Sequence, residues 1–271
     1  MDTRPLQPYH TATSLETFLD RIVICMKWGT LYGPDYVNVL YSACREYITG
    51  EFRFVCLTDD VTGIREEVET FPIPDMGLSA FDWKKGGWPK LSVFARDLYG
   101  LSGRALFVDL DTVLCGPMDP LFEVPGDIVV IDSSANWKDP NAGAEPVAMT
   151  SVFAFTLGQH PEILEQFQAD HTGMVAKYRI EQVYLQGVFP NLSYWPHGTA
   201  ISFKYDLRRG ILGQLLLEPR KPANNNIILA FHGEPRPIDL VHKGWWGIAP
   251  HLGRGPVSWI RDYWIRHGGS I

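Results

Sequence analysis

Two acids one residue apart, at the exit of an apolar run, are the groups best placed to do chemistry in this chain. They are Asp109 and Asp111, in Ala105-Leu106-Phe107-Val108-Asp109-Leu110-Asp111-Thr112-Val113-Leu114. Carboxylates at that spacing can bind one hard divalent cation together. A single acid after a strand usually caps a turn, whereas two with apolar residues on both sides are less common. A further candidate ligand is His232, in Phe231-His232-Gly233-Glu234-Pro235-Arg236-Pro237, where another apolar run breaks. Two carboxylates and one imidazole leave positions open for phosphate oxygens and water, which suits Mn²⁺ or Mg²⁺ better than a structural zinc. Gly233 would allow close backbone approach, and Arg236 could pair with a phosphate. A lone histidine at a strand end is more often a hydrogen-bonded core residue, but the company of Arg236 and two acids shifts that balance.

Positioning these groups takes an alternation of strands and helices. Arg21 to Met26 is a short β-branched run of the kind that forms a central strand, ending at Lys27-Trp28-Gly29-Thr30. Gly33-Pro34-Asp35 then supplies a helix start, and Val37, Leu40, Tyr41, Cys44, Tyr47 and Ile48 fall on one helical face. Phe52 to Leu57 reads as the second strand, closing on Thr58-Asp59-Asp60. Leu91, Phe94, Ala95 and Leu98 predict a helix before the strand that carries Asp109. Ile128 to Ile131 and Val152 to Thr156 read as further strands, His160-Pro161 opens a helix to about Lys177, and Ile227 to Phe231 is expected to be the last strand. The pattern implies a mostly parallel α/β sheet covered by helices on both faces. In such a sheet ligands bind at the carboxyl ends of the strands, which is where Lys27, Asp59, Asp60, Asp109 and Asp111 fall.

Composition narrows the class. With 271 residues, 45% hydrophobic and 20% charged, the chain can bury a full core as one α/β domain, and no linker favours a split. A net charge of -7 without a Lys/Arg block argues against a nucleic-acid partner. Cys25, Cys44, Cys56 and Cys115 each sit in an apolar pattern and form no Cys-x-x-Cys unit, so they read as buried thiols. Met1 to Asp20 lacks the pattern of a cleaved signal peptide, and no apolar stretch reaches membrane-spanning length, so the expected location is the cytoplasm.

Taken together, these residues resemble the nucleotide-sugar glycosyltransferases of the GT-A fold, especially the glycogenin and lipopolysaccharide galactosyltransferase group. The resemblance runs in element order from about Arg21 to Pro237, and close matches are confined to short motifs. It implies a single GT-A-like domain, with a nucleotide-binding half over 21–114 and an acceptor-side half over 115–271. It also implies a hexosyltransferase that uses a nucleoside diphosphate sugar, UDP being the expected nucleotide, and an unidentified glycan or other acceptor. By the same resemblance, Asp109, Asp111 and His232 bind Mn²⁺, the loop at Met26, Lys27 and Trp28 holds the base, and Leu110 and Lys90 touch the donor. Glu181 and Gln182 lie beside the reacting sugar. Where that family shows His-x-x-Gly-x-x-Lys-Pro-Trp, this chain has the shorter His232-Gly233-Glu234-Pro235-Arg236-Pro237.

The chemistry fits the residue types independently. A departing nucleoside diphosphate gathers negative charge, which a divalent cation, Lys90 and Arg236 would stabilise. Trp28 could stack on the base, Asp59 or Asp60 could hydrogen-bond the ribose or the base, and Ser151 could touch the donor sugar. For each of these acids the competing reading is a solvated turn, for Ser151 a simple strand start, and for Lys90, Glu181 and Gln182 an ordinary surface helix. The C-terminal segment holds Trp245, Trp246, Trp259, Tyr263 and Trp264 with Arg261 and Arg266. Ile260, Tyr263, Trp264 and His267 share a helical face whose default role is docking on the domain, with an acceptor sugar or a peripheral membrane contact as the other options. Trp245 and Trp246 are the acceptor-stacking candidates. Two rival readings remain: a haloacid-dehalogenase-like phosphatase, whose nucleophile motif resembles Asp109-Leu110-Asp111-Thr112-Val113, and a non-catalytic nucleotide-sugar binder.

Overall fold

The computed structural model describes residues 21–134, 145–210, 213 and 216–271. The reading of Met1 to Asp20 as lacking a signal peptide lies outside the described residues. Strand β1 (Ile22–Lys27) is fully buried, as its β-branched run requires, and is followed by helix α1 (Pro34–Tyr47) with proline in its first turn. Next come β2 (Arg53–Thr58), β3 (Glu69–Phe71), the one-turn helix α2 (Ala80–Trp83), a 3₁₀ helix (Trp88–Phe94), and β4 (Arg104–Val108). Beyond the two acids lie β5 (Val113–Leu114), α3 (Asp119–Glu123), β6 (Ile128–Asp132) and β7 (Ala148–Thr156). Helices α4 (Glu162–Ala169), α5 (His171–Tyr178) and α6 (Glu181–Val188) precede β8 (Ser193–Tyr194), β9 (Ala200–Ser202) and α7 (Phe203–Asp206). The chain continues through β10 (Ile228–Ala230), α8 (Pro237–Val241), the strands β11 (Gly244–Ile248) and β12 (His251–Gly255), and α9 (Ser258–Arg266).

Seven strands form the central sheet in the order β3-β2-β1-β4-β7-β6-β8. All neighbours run parallel except β7, which is antiparallel to both β4 and β6. Side chains alternate across the sheet and define two cores. Val23, Cys25, Cys56, Leu106 and Val108 face α1 and α9, whereas Ile24, Leu57, Phe107, Phe153 and Phe155 face the 3₁₀ helix and α4. The four cysteines are free thiols, three of them buried, and Cys115 is half-buried.

Three expected elements differ from what forms. The helix predicted from Leu91 to Leu98 is a 3₁₀ segment that stops at Phe94. Gly87, at positive φ, precedes the segment, Pro89 lies in its first turn, and Ala95, at ψ 143°, takes the chain out of the helical region. The helix predicted from His160 to Lys177 is broken at Asp170, whose carboxylate accepts from Gly173 N at 3.0 Å and caps α5. Most consequential is β10, which stays out of the central sheet. It pairs antiparallel with β5 and parallel with β9 in a separate small sheet, and the β11–β12 hairpin follows it.

The C-terminal helix docks as its face implies. Ile260, Tyr263, Trp264 and His267 are buried, Trp264 lies edge-on to Tyr36, and Tyr263 Oη accepts from Leu114 N at 3.2 Å. Tyr263→Phe would leave that buried N–H without an acceptor. The expected loss is about 1 kcal/mol, read as a lower denaturant midpoint at unchanged slope.

Candidate active site

The carboxyl ends of β1 and β4 open into a cavity of about 460 Å³. Its lining includes Met26, Trp28, Lys90, Asp109, Leu110 and Asp111, so six residues singled out from the sequence share one space. Asp109 leaves the sheet as its N–H donates to Ser151 O at 2.7 Å, and Thr112 N donates to Asp109 O at 3.0 Å to close the turn. This turn aims the Asp109 and Asp111 side chains into the cavity.

Lys90 is the hub of the buried wall. Its Nζ donates to Asp109 Oδ2 at 2.8 Å and lies 3.5 Å from Glu181 Oε1. The Glu181 carboxylate also accepts a short hydrogen bond from Thr150 Oγ1, and Glu181 N donates to Gly86 O at 2.8 Å. A Cβ at position 87 would lie 2.7 Å from Glu181 Oε2, and Gly87 has a positive φ, so only glycine lets this loop pass the carboxylate. Burial pushes the Asp109 carboxyl up, against the pull of Lys90, and burial also raises Asp111. Burial alone would lower the Lys90 ammonium, but the charges of Asp109 and Glu181 outweigh it and raise the group.

When ionised, Asp109, Asp111 and Glu181 set three negative charges against one lysine. The acidic excess around Lys90 favours a cation, and the oxygen donors suit Mn²⁺ or Mg²⁺. Asp109 and Asp111 would be its ligands.

His232 stands apart from the two acids. Among the described residues no group of three or more His, Cys, Asp and Glu side chains gathers closely enough to hold a metal. His232 sits at the end of β10, in the small sheet, and its Nε2 lies 3.1 Å from Ser202 Oγ. Burial first, then Lys204, lowers its imidazole to about 4, so the ring is neutral near neutral pH. Gly233 has a positive φ of 65°, which favours glycine, and the space around its Cα is open, with nothing within 4 Å of a Cβ built there. Arg236 faces the cavity loop: it donates to Leu31 O at 3.3 Å, pairs with Asp239, and its charge opposes the rise of Asp111.

Other expected contacts lie beside the cavity. Lys27 is buried, and its Nζ donates to Asp60 O at 3.0 Å, so it braces the loop after β2. Asp59 accepts from Gly29 N at 2.9 Å and Asp60 from Thr62 N at 2.9 Å, which makes both acids loop supports. Ser151 is buried in β7 and acts through its carbonyl. Gln182 is half-buried beside Glu181 on α6. The tryptophan pair divides: Trp245 is 69% exposed, whereas Trp246 is 3% exposed and lies edge-on to Phe203. Trp246 is therefore a core residue and offers no face for an acceptor.

Sequence reasoning missed Tyr32 and Lys84. Tyr32 lines the cavity and donates its hydroxyl to Asp111 Oδ2 at 2.9 Å, which fixes that carboxylate. Lys84 adds a cation to the same wall. The signal for Lys84 was present in Lys84-Lys85-Gly86-Gly87, whereas Tyr32 lies in a loop without periodicity.

No protein-family model matches the chain, and no curated protein matches it in sequence. Solved structures do resemble it. The glycosyltransferase GlyE of Streptococcus pneumoniae TIGR4 aligns at a TM-score of 0.57 and 15% identity, over 93% of this chain and 62% of that one. The galactosyltransferase LgtC, in complex with donor and acceptor sugar analogs, aligns at 0.54 and 14% identity, over 91% of this chain and 95% of that one. This chain thus spans less than two thirds of GlyE but nearly all of LgtC. At these identities the likeness establishes the fold, a GT-A-type α/β architecture.

Proposed function

We propose that the protein is a metal-dependent glycosyltransferase that moves a sugar from a nucleoside diphosphate donor, UDP being the first to test, onto a glycan or other hydroxyl-bearing acceptor. The observation that carries this reading is the cavity at the ends of β1 and β4, which joins Asp109, Asp111 and Lys90 to the Trp28 ring. A bound Mn²⁺ or Mg²⁺ would act as a Lewis acid on the diphosphate. Trp28 offers a stacking face for the base, and Tyr32 holds Asp111 in place. Lys90 and Lys84 supply positive charge where the leaving diphosphate gathers negative charge. Glu181, fixed by Thr150, Gly86 and Lys90, lies at the rear of this wall, where the transferred sugar would sit in the reading taken from the GT-A resemblance.

Titration calorimetry with UDP, GDP and CDP, each with and without Mn²⁺, tests the proposal. Metal-dependent binding of one nucleotide supports it and selects the sugars to screen. If no nucleotide binds in any condition the proposal fails, and hydrolysis of p-nitrophenyl phosphate becomes the next assay.

A further inference from the structure

A second cavity, of about 310 Å³, lies between the C-terminal end of α1, β5 and α9. It shares no lining residue with the catalytic cavity. Tyr32, just before α1, lines the one, and Tyr47, the last residue of α1, lines the other. A helix rises about 1.5 Å per residue, which puts the two ends of α1 roughly 20 Å apart. The volume falls at the small end of the range for small-molecule sites, roughly 300–1,000 Å³.

Its floor is apolar and its rim is charged. Leu114 and the rings of Tyr47, Trp259 and Tyr263 give it aliphatic and aromatic faces. The Trp259 indole N–H donates to Pro219 O at 3.2 Å, which holds the ring and satisfies its polar edge. Tyr263 is 7% exposed; its hydroxyl accepts from Leu114 N, and its own proton meets no acceptor among the described residues. A buried donor left open in a cavity wall favours a ligand oxygen. The rim adds Lys221, Asp262 and Arg266. Lys221 and Asp262 form no ion pair among the described residues, whereas Arg266 lies 3.4 Å from Glu46.

Two cations and two carboxylates cancel, and this balance sets the class of ligand. A phosphate or sulfate group would need an excess of cations, and a hydrocarbon chain would give the charged rim no partner. A neutral ligand with many hydroxyls uses both signs, since a hydroxyl donates to a carboxylate and accepts from an ammonium or guanidinium. A pyranose ring also presents a face of C–H bonds that packs against an indole or phenol ring. We infer that this cavity is a non-catalytic binding site for a neutral saccharide. The site goes beyond the transferase reading and does not depend on it. Where that reading holds, a glycan anchored here would raise the local concentration of its own chain around the catalytic cavity.

Saturation-transfer NMR titrations of the full chain test it, with maltotriose, cellotriose and tri-N-acetylchitotriose as neutral probes and trigalacturonate and inorganic phosphate as anionic ones. At least one neutral trisaccharide is expected to bind, and neither anion. Trp259→Ala should weaken that binding about tenfold by removing the stacking face. Trp259 also packs against the core, so Asp262→Ala serves as the second variant. Asp262 is exposed, so the denaturant midpoint should not fall, yet binding should weaken about fivefold. Trp245→Ala and Asp111→Asn should both leave it unchanged, which separates this site from an acceptor seated at the catalytic cavity. Failure of all three neutral probes to bind would overturn the inference, as would binding that survives both Trp259→Ala and Asp262→Ala or is lost in Trp245→Ala. Binding of an anion in place of the trisaccharides would also overturn it and would mark an anion site. If nucleotides fail to bind while a trisaccharide binds in an Asp262-dependent way, this site stands and the transferase reading falls.

Discussion

Asp111→Asn is expected to lower sugar transfer by about 10³-fold and to abolish the metal dependence of nucleotide binding, while the protein remains folded. The substitution keeps the shape of the side chain and its acceptor for Tyr32, so packing survives. What it removes is one of the two charged oxygen ligands. A cation that polarises the leaving diphosphate contributes several kcal/mol to the transition state, and about 4 kcal/mol corresponds to 10³ in rate. Asp109→Asn should act in the same direction but leave Lys90 facing only Glu181, so its effect mixes binding with stability. Both carboxyls are raised by burial, so metal and protons compete for them. Nucleotide affinity in Mn²⁺ should therefore fall as pH is lowered in the wild type, and this dependence should weaken in Asp111→Asn. Calorimetry at several pH values separates these outcomes. Full activity of both variants would end the metal-site reading.

Much of this site was legible because its supports are local. Buried strands declare themselves as apolar runs, and β1, β2 and β4 could be placed from Ile22, Phe54 and Leu106 and their neighbours. Their carboxyl ends then had to lie together in a parallel sheet. Asp109 and Asp111 follow from that, as do Met26 and Trp28. The place of His232 does not, because an apolar run ending there shows that a strand exists and not which sheet it joins. Pairing with Val113–Leu114 instead of the central sheet is a long-range decision. Trp245 and Trp246 could have been separated locally, since neighbours on a strand face opposite sides and only one can reach Phe203. The hairpin was missed because Gly244, Gly247, Gly253 and Gly255 dilute its strand signal. Tyr32 has no pattern at all, and only its contact with Asp111 reveals its role.

Lys90→Met is the variant in which function and folding are expected to fail together. The side chain is 13% exposed and lies between Asp109 and Glu181, so removing the ammonium leaves two carboxylates close together with no counter-charge. Breaking such a pair costs about 3–5 kcal/mol when the remaining charge stays ionised. Asp109 can instead take up a proton, since burial already raises its carboxyl, and the expected loss is therefore nearer about 3 kcal/mol, read from the denaturant midpoint. Transfer should fall by about 10²-fold, because positive charge opposite the diphosphate disappears. A double-mutant cycle separates the two effects. Adding Asp109→Asn to Lys90→Met removes one of the two orphaned charges and should recover part of the stability, but it should recover no activity, since the cation and a metal ligand are then both absent. Were Lys90→Met as stable as the wild type, Lys90 would be a solvated surface lysine. Were the double variant to regain transfer, Lys90 would matter only for folding, and the positive charge facing the diphosphate would have to come from Lys84 or Arg236.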